Sequence, residues 1–370
     1  MGAITVQAVG SRKSLRAFLS FPERLYREDP LWVAPIRRDQ LALLSPTNPF
    51  FAHAKAQLLL AWQDGKVVGR IAAIVDNRYL EEWKEHVGFF GFFESLPEAG
   101  VATALLDSAR AWLRARGMAR LRGPVNPSIN HECGLLVEGF SHPPRILMPY
   151  NPPYYSALLE EAGLRRAKDL LSYDLDLADE LPDRFHQITQ AVERRGARVR
   201  ALNPKAFREE VGLITKLYNA AWGKNWGFVP VTEEEAALIA SRLRPFLVSE
   251  LALIAEWEGV PVGFALSLPD YNPALRLLRG RATPWGLLRF HFRQRTLDEM
   301  RVLAFGVLPE QRKRGIDALL LLATHEAASR HGYRRAELSW ILEDNVLMRR
   351  TVERLGGRLA KRYRLYEAPV

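Results

Sequence analysis

The chain has 370 residues, 48% hydrophobic and 25% charged, the proportions of a protein that buries a core. With 25 Gly and 23 Pro it is neither fibrous nor disordered, and no apolar run approaches the roughly 18 residues that a membrane-spanning helix needs. Fifty-two Lys and Arg against 42 Asp and Glu leave a net charge of +10, which favours an anionic partner such as a phosphorylated cofactor, a lipid surface or nucleic acid without choosing among them.

The first residues lack a signal-peptide core, so a cytoplasmic protein is expected. Cys133 is the one cysteine, and no Cys/His spacing suggests zinc, so no metal is expected. In chain order, the first strong signal is a pair of apolar runs, 57–62 and 67–74, joined by Gln63-Asp64-Gly65-Lys66, which predicts a β-hairpin. A strand holding Gly91 leads to a turn at Gly100. Ala102, Leu105, Leu106, Ala109, Trp112 and Leu113 then recur at helical spacing up to a stop at Gly117. After the next strand, the loop Asn126-Pro127-Ser128-Ile129-Asn130-His131-Glu132-Cys133-Gly134 crowds polar and reactive side chains ahead of the apolar Leu135-Leu136-Val137. Tyr150-Asn151-Pro152-Pro153-Tyr154-Tyr155 forms a rigid entry to a helix.

From there the order repeats. The stretch 61–69 aligns without a gap on 255–263, an offset of 194, so Trp257-Glu258-Gly259-Val260 predicts a second hairpin. Gly91, Gly100 and Gly117 match Gly306, Gly315 and Gly332 at an offset of 215, and 151–163 match 345–356 within one residue. The chain is therefore expected to be two copies of one α/β unit, 1–178 and 179–370, with insertions at 126–150 in the first and 270–296 in the second. Insertions in a duplicated fold are where function tends to diverge.

Two motifs of the second copy carry a family resemblance. Val307-Leu308-Pro309-Glu310-Gln311-Arg312-Lys313-Arg314-Gly315-Ile316-Asp317-Ala318 is similar to the acyl-CoA loop of the GNAT acyltransferase superfamily, and 344–357 resembles that family's closing helix. More closely, Asn48-Pro49-Phe50-Phe51, Gly91-Phe92-Phe93-Glu94, 150–155, 225–230 and 339–345 resemble a bacterial tandem-GNAT group to which bacterial ceramide synthases look related. The resemblance implies an α/β (α+β) chain of two tandem GNAT domains, each a mixed, mostly antiparallel sheet flanked by helices. It implies acyl-CoA, with an acetyl or longer chain, as co-substrate. Physics supports the same place: a Gly-containing turn aims backbone N–H groups at one point, and a helix start adds about half a positive charge, which suits a pyrophosphate. The residues expected there are Gly306, Val307, Arg312, Lys313, Arg314, Gly315, Ile316 and, from the closing helix, Asn345. The sequence departs from the family at Asp317, where a second Gly or Ala is usual, and at Val352, where many members carry a Tyr. In the first copy, Pro97 and Leu159 stand at the basic and Tyr positions.

Acyl transfer to an amine needs a base for the ammonium proton, donors for the oxyanion and an acid for the thiolate. Glu132 or His131 is the expected base, Glu343 the second candidate, and Tyr154 the acid. Asn126, Asn130, Trp222, Asn225 and Trp226 are the expected acceptor-side residues, with the acceptor, a small-molecule or lipid-like amine, at the junction of the copies. From 272 to 297 there are six Arg and no acid, mixed with leucines and aromatics. That chemistry suits the inner face of an anionic membrane first and nucleic acid second. The competing functional expectations are a tRNA-dependent aminoacyl transferase of the peptidoglycan-bridge type, and a degenerate GNAT pair kept as a non-catalytic scaffold.

Overall fold

The computed structural model describes residues 2–178 and 181–370. Two compact units divide the chain. One comprises Met1–Leu170 with Ala274–His291 and Lys361–Val370, and the other Leu171–Pro273 with Phe292–Ala360.

In chain order the elements as far as Asp176 are β1 (Thr5–Ala8), α1 (Arg12–Leu25), α2 (Arg37–Leu43), β2 (Ala54–Gln63), β3 (Lys66–Asp76), α3 (Asn77–Trp83), β4 (Val87–Ser95), α4 (Ala99–Arg114), β5 (Arg120–Gly123), β6 (Val125–Asn126), β7 (Glu132–Cys133), β8 (Leu135–Glu138), α5 (Tyr155–Glu161) and β9 (Arg165–Asp176). There follow α6 (Asp183–Arg194), β10 (Ala197–Ala201), α7 (Phe207–Trp222), α8 (Glu233–Leu243), β11 (Ala252–Trp257), β12 (Val260–Pro269), α9 (Asn272–Leu275), α10 (Pro284–Arg293), β13 (Glu299–Val307), α11 (Ile316–Arg330), β14 (Arg335–Leu342), α12 (Val346–Arg354) and β15 (Arg358–Pro369). Among the described residues no helix is long and apolar enough to cross a membrane.

Each unit carries the mixed, mostly antiparallel sheet flanked by helices that the resemblance implies. In the first, β1-β2-β3-β4 are antiparallel, β4 and β5 are parallel, and the C-terminal β15 pairs antiparallel with both β5 and β8. In the second, β10-β11-β12-β13 are antiparallel, β13 and β14 are parallel, and β9 lies next to β14. Both hairpins form where their turn dipeptides predict them. Asp64, Gly65, Glu258 and Gly259 have φ of 49°, 72°, 50° and 80°, the paired positive values of a turn whose twist suits antiparallel strands. The apolar face of α4, with Val101, Ala102, Leu105, Leu106, Ala109 and Leu113, covers the first sheet. Ile316, Leu319 and Leu320 of α11 pack with Val262, Ala265 and Val307 of the second.

Strand register corrects one part of the repeat. Arg70 faces Glu94 in the first unit and Phe264 faces Gly306 in the second, so at the hairpin offset of 194 the partner of Gly306 is Glu94, and Gly91 is not. The segment between β13 and α11 is longer than that between β4 and α4, and matching glycines across it slid the strand by three residues.

In both units the parallel pair parts. The β4/β5 register ends at Phe89↔Arg122 and the β13/β14 register at Val302↔Leu338, while β4 runs on to Ser95, β13 to Val307 and β14 to Leu342. Diverging strands present backbone groups to the gap, and those groups need partners.

Candidate active site

The start of α11 is a bare helix N-terminus. Gly315, its N-cap, has φ of 83° and supplies no side-chain cap, so the first amides of the helix point outward without an intrahelical partner. Lys313, also at positive φ (65°), and Asp317 are exposed. The other two cations are partly engaged. Arg312 donates to the carbonyls of Ala221 (2.7 Å) and Val307 (3.3 Å), bracing the loop, and the Arg314 guanidinium lies 5.0 Å from the centre of the Trp257 ring. Val307 and Ile316 are buried in the core. A Cβ at Gly315 would lie 2.6 Å from Val192 of α6, and one at Gly306 would lie 2.8 Å from the Phe264 ring, so both close approaches require glycine.

The rest of the second-unit set is dispersed. Asn345 caps α12, its Oδ1 accepting from Met348 N at 3.2 Å. Glu343 is half-buried, and its backbone carbonyl accepts from Arg349. Val352 is core. Trp222 donates to the Phe305 carbonyl at 3.0 Å and packs on Tyr218 and Phe228, whereas Asn225 and Trp226 sit half-buried in the loop after α7.

In the first unit the gap between the parted strands is filled by the chain itself. Asn126 Oδ1 accepts from Phe92 N at 2.6 Å, and a Cβ on Gly91 would meet the Val125 carbonyl at 1.6 Å. The polar loop folds into the β6/β7 ribbon, with Asn126 facing Glu132. His131 Nδ1 lies 2.8 Å from Ser128 Oγ, Asn130 and Glu132 are half-buried, and Cys133 is buried. Phe50 joins this loop to a pair absent from the sequence expectations: its ring meets those of His131 and His53, and His53 Nδ1 is 2.8 Å from Asp76 Oδ1. Among the described residues no group of three or more His, Cys, Asp or Glu could hold a metal ion.

The most concentrated chemistry lies elsewhere in the first unit, around Glu94. Its Oε2 accepts from the hydroxyls of Tyr26 and Tyr155, each at 2.7 Å, and its Oε1 faces an Arg70 nitrogen at 3.5 Å. The two charged side chains are 13% and 8% exposed. Burial raises the Glu94 pKa, against the pull of Arg70 and the two hydroxyls, and burial with the Glu94 charge pushes Tyr26 and Tyr155 far up. Arg70 donates to the Phe18 carbonyl and stacks on the Phe18 ring, but its Nε has no hydrogen-bond partner among the described residues. A buried donor without a partner, beside a buried carboxylate of raised pKa, marks this cluster as a candidate functional site. Tyr154 borders this cluster, its ring edge-on to that of Tyr155 at 5.1 Å between centres. Its hydroxyl donates to the Ser95 carbonyl at 2.8 Å, and burial pushes it up to about 12. The sequence did carry a signal for Glu94 and Arg70: each is a lone charge in an otherwise apolar strand, the run 87–93 before Glu94 and the run 67–75 around Arg70.

Comparison with known proteins adds family to geometry. The model described as the acetyltransferase (GNAT) family matches residues 19–132 and 213–356. The chain is 35% identical to the bacterial ceramide synthase of Caulobacter vibrioides, over 98% of this chain and 97% of that one. It is 34% identical to Protein YghO of Escherichia coli, over 97% and 94%. Among solved structures, the tandem GNAT protein of the clavulanic acid biosynthesis pathway superposes with a TM-score of 0.57, over 99% of this chain and 98% of that one. At 14% identity that likeness is one of fold.

Proposed function

The chain belongs to the acetyltransferase (GNAT) family, and from that premise we propose that it is an N-acyltransferase that moves an acyl group from acyl-CoA to the amine of a long-chain acceptor. The observation that carries this reading is the 35% identity, over 98% of the chain, with a protein named as a ceramide synthase. The bare start of α11 supports the donor side. Its outward amides, the exposed Lys313 and the helix dipole suit a pyrophosphate, while Asp317 opposes it. Arg312, Gly315, Gly306, Val307 and Ile316 would shape that turn with Arg314, and Asn345, the cap of α12, remains a candidate from the same unit.

In the reaction the amine nitrogen bonds to the thioester carbonyl carbon, the C–S bond breaks, the ammonium proton passes to a base, and the thiolate leaves with a proton. We put Glu94 beside Glu132, His131 and Glu343 as candidate bases, and keep Tyr154 as candidate acid. On the acceptor side, Asn130, Asn225 and Trp226 remain candidates, whereas Asn126 and Trp222 act through the backbone they hold.

Titration calorimetry with CoA, acetyl-CoA and palmitoyl-CoA tests the donor site. One site per chain is expected, because the gap of the first unit is filled by Val125 and Asn126. Lys313→Glu with Arg314→Glu should weaken binding by about tenfold or more, the loss of one to two charge-assisted contacts. Folded protein that ignores all three ligands would sink the reading.

A further inference from the structure

We propose that α10 is a docking helix that lies in the interface of an anionic lipid bilayer. Eight of its ten residues are exposed: Gly286 is its one buried position, set against Leu278 and Thr283, and Phe290 is half-buried. Trp285, Leu288 and Phe292, at helical spacing on one face, are 71%, 44% and 60% exposed. Arg289 and Arg293 flank that stripe, and Arg279, Arg281 and Arg295 are exposed before and after the helix. No acid lies between 272 and 297.

The segment is nonetheless anchored. Arg37 N donates to the Gly280 carbonyl, Arg276 donates to the Pro30 carbonyl at 2.9 Å, and Gly280 packs on Pro35 and Ala34, all within the first unit. A fixed support that presents large apolar side chains and arginines to solvent is the pattern of an interfacial helix, whose apolar face enters the acyl boundary while cations meet lipid phosphates. A second copy of the chain is the poorer occupant. A two-fold contact sets a patch against itself, and here it would oppose arginine with arginine. RNA would use the cations but leaves the aliphatic part of the stripe without a partner.

The test uses the full-length protein with sedimented vesicles of phosphatidylcholine alone or with one third phosphatidylglycerol, at low and physiological salt. Binding to the anionic vesicles is expected, with a blue shift of tryptophan emission that Trp285→Phe removes. Arg289→Gln and Arg293→Gln should each weaken binding about fivefold. The combined Trp285→Ser, Leu288→Ser and Phe292→Ser variant should abolish it while keeping the circular dichroism spectrum. Since no acyl donor enters the assay, its failure is separable from failure of the proposed reaction. Three outcomes would overturn the proposal: no binding to anionic vesicles; binding that survives the triple serine variant, which would be charge attraction without insertion; or a dimer that the triple variant dissociates. Tighter binding to poly(U) than to vesicles, insensitive to the serine changes, would also overturn it in favour of RNA.

Discussion

Glu94 and Arg70 hold a place in the sheet that the second unit fills with Gly306 and Phe264, the latter packed near Ala221. The fold therefore closes at this position without a charge. Buried ion pairs are also weak stabilisers compared with well-packed apolar groups. What the first unit gains from the cluster is chemistry: a carboxylate whose burial keeps it protonated to a higher pH, held by two phenols that oppose that shift. If Glu94 accepts the ammonium proton, activity should rise with pH through its raised pKa. Glu94→Gln should then lower kcat by at least about a hundredfold, the usual contribution of a positioned base. Tyr155→Phe removes a donor to the carboxylate, so the acidic limb of the kcat/KM profile should move to higher pH, with a stability loss of about 1.5–3 kcal/mol. A pH profile that stays in place would mark the cluster as structural. The direction of its stability effect is separate: a raised carboxyl pKa contributes stability below the unfolded value, about pH 4.3, and that contribution is lost as pH rises through the folded value. Glu94 is legible in the sequence as a charge in an apolar run. Tyr26 is not, because it lies 68 residues away and only the folded sheet brings its hydroxyl to Glu94.

At the scale of elements, strand β15 is clamped to β9 by Asp169. The carboxylate, 2% exposed, takes Arg364 Nε at 2.8 Å and a second Arg364 nitrogen at 3.1 Å, with an Arg362 nitrogen at 3.4 Å. Burial alone would raise its pKa, but the Arg364 hydrogen bonds and charge, with Arg166 and Arg362, overcome it and hold it down. Asp169→Asn should cost about 3 kcal/mol, the usual loss when one partner of a buried pair is removed. For a depressed acid the stabilisation is complete above the unfolded pKa near 3.9 and disappears as pH falls through the folded value. Denaturation midpoints for wild type and variant should therefore converge in acid, and a gap that persists at low pH would contradict this account. Hairpins and helices are readable from turn dipeptides and apolar spacing because both depend on a few neighbouring residues. The registration of β4 is not, since it depends on strands β3 and β5 and on the length of the loop that follows, three residues between β4 and α4 against eight between β13 and α11.

At the scale of the whole molecule, the internal repeat is plain in the sequence, but the compact units cut across its two halves. Ala274–His291 and Lys361–Val370 pack with the first unit although they are encoded within or after the second. No periodicity announces such an exchange, because β15 has the same alternating pattern whichever neighbours it pairs with. Deleting 361–370 should therefore damage the first unit. Limited proteolysis with peptide mapping is expected to show new cleavage within 1–170 while 171–273 stays resistant, and the reverse pattern would refute the assignment. The position of β15 also sets a schedule for the nascent chain. After Leu170 leaves the ribosome, the residues through Ala360 must be made before the last strand exists, a wait on the order of ten to forty seconds at ordinary translation rates. Throughout that interval the side of β5 that β15 will cover is an open strand edge, the kind of surface that recruits other strands. A product cut short before β15 would keep that edge of β5 exposed for good.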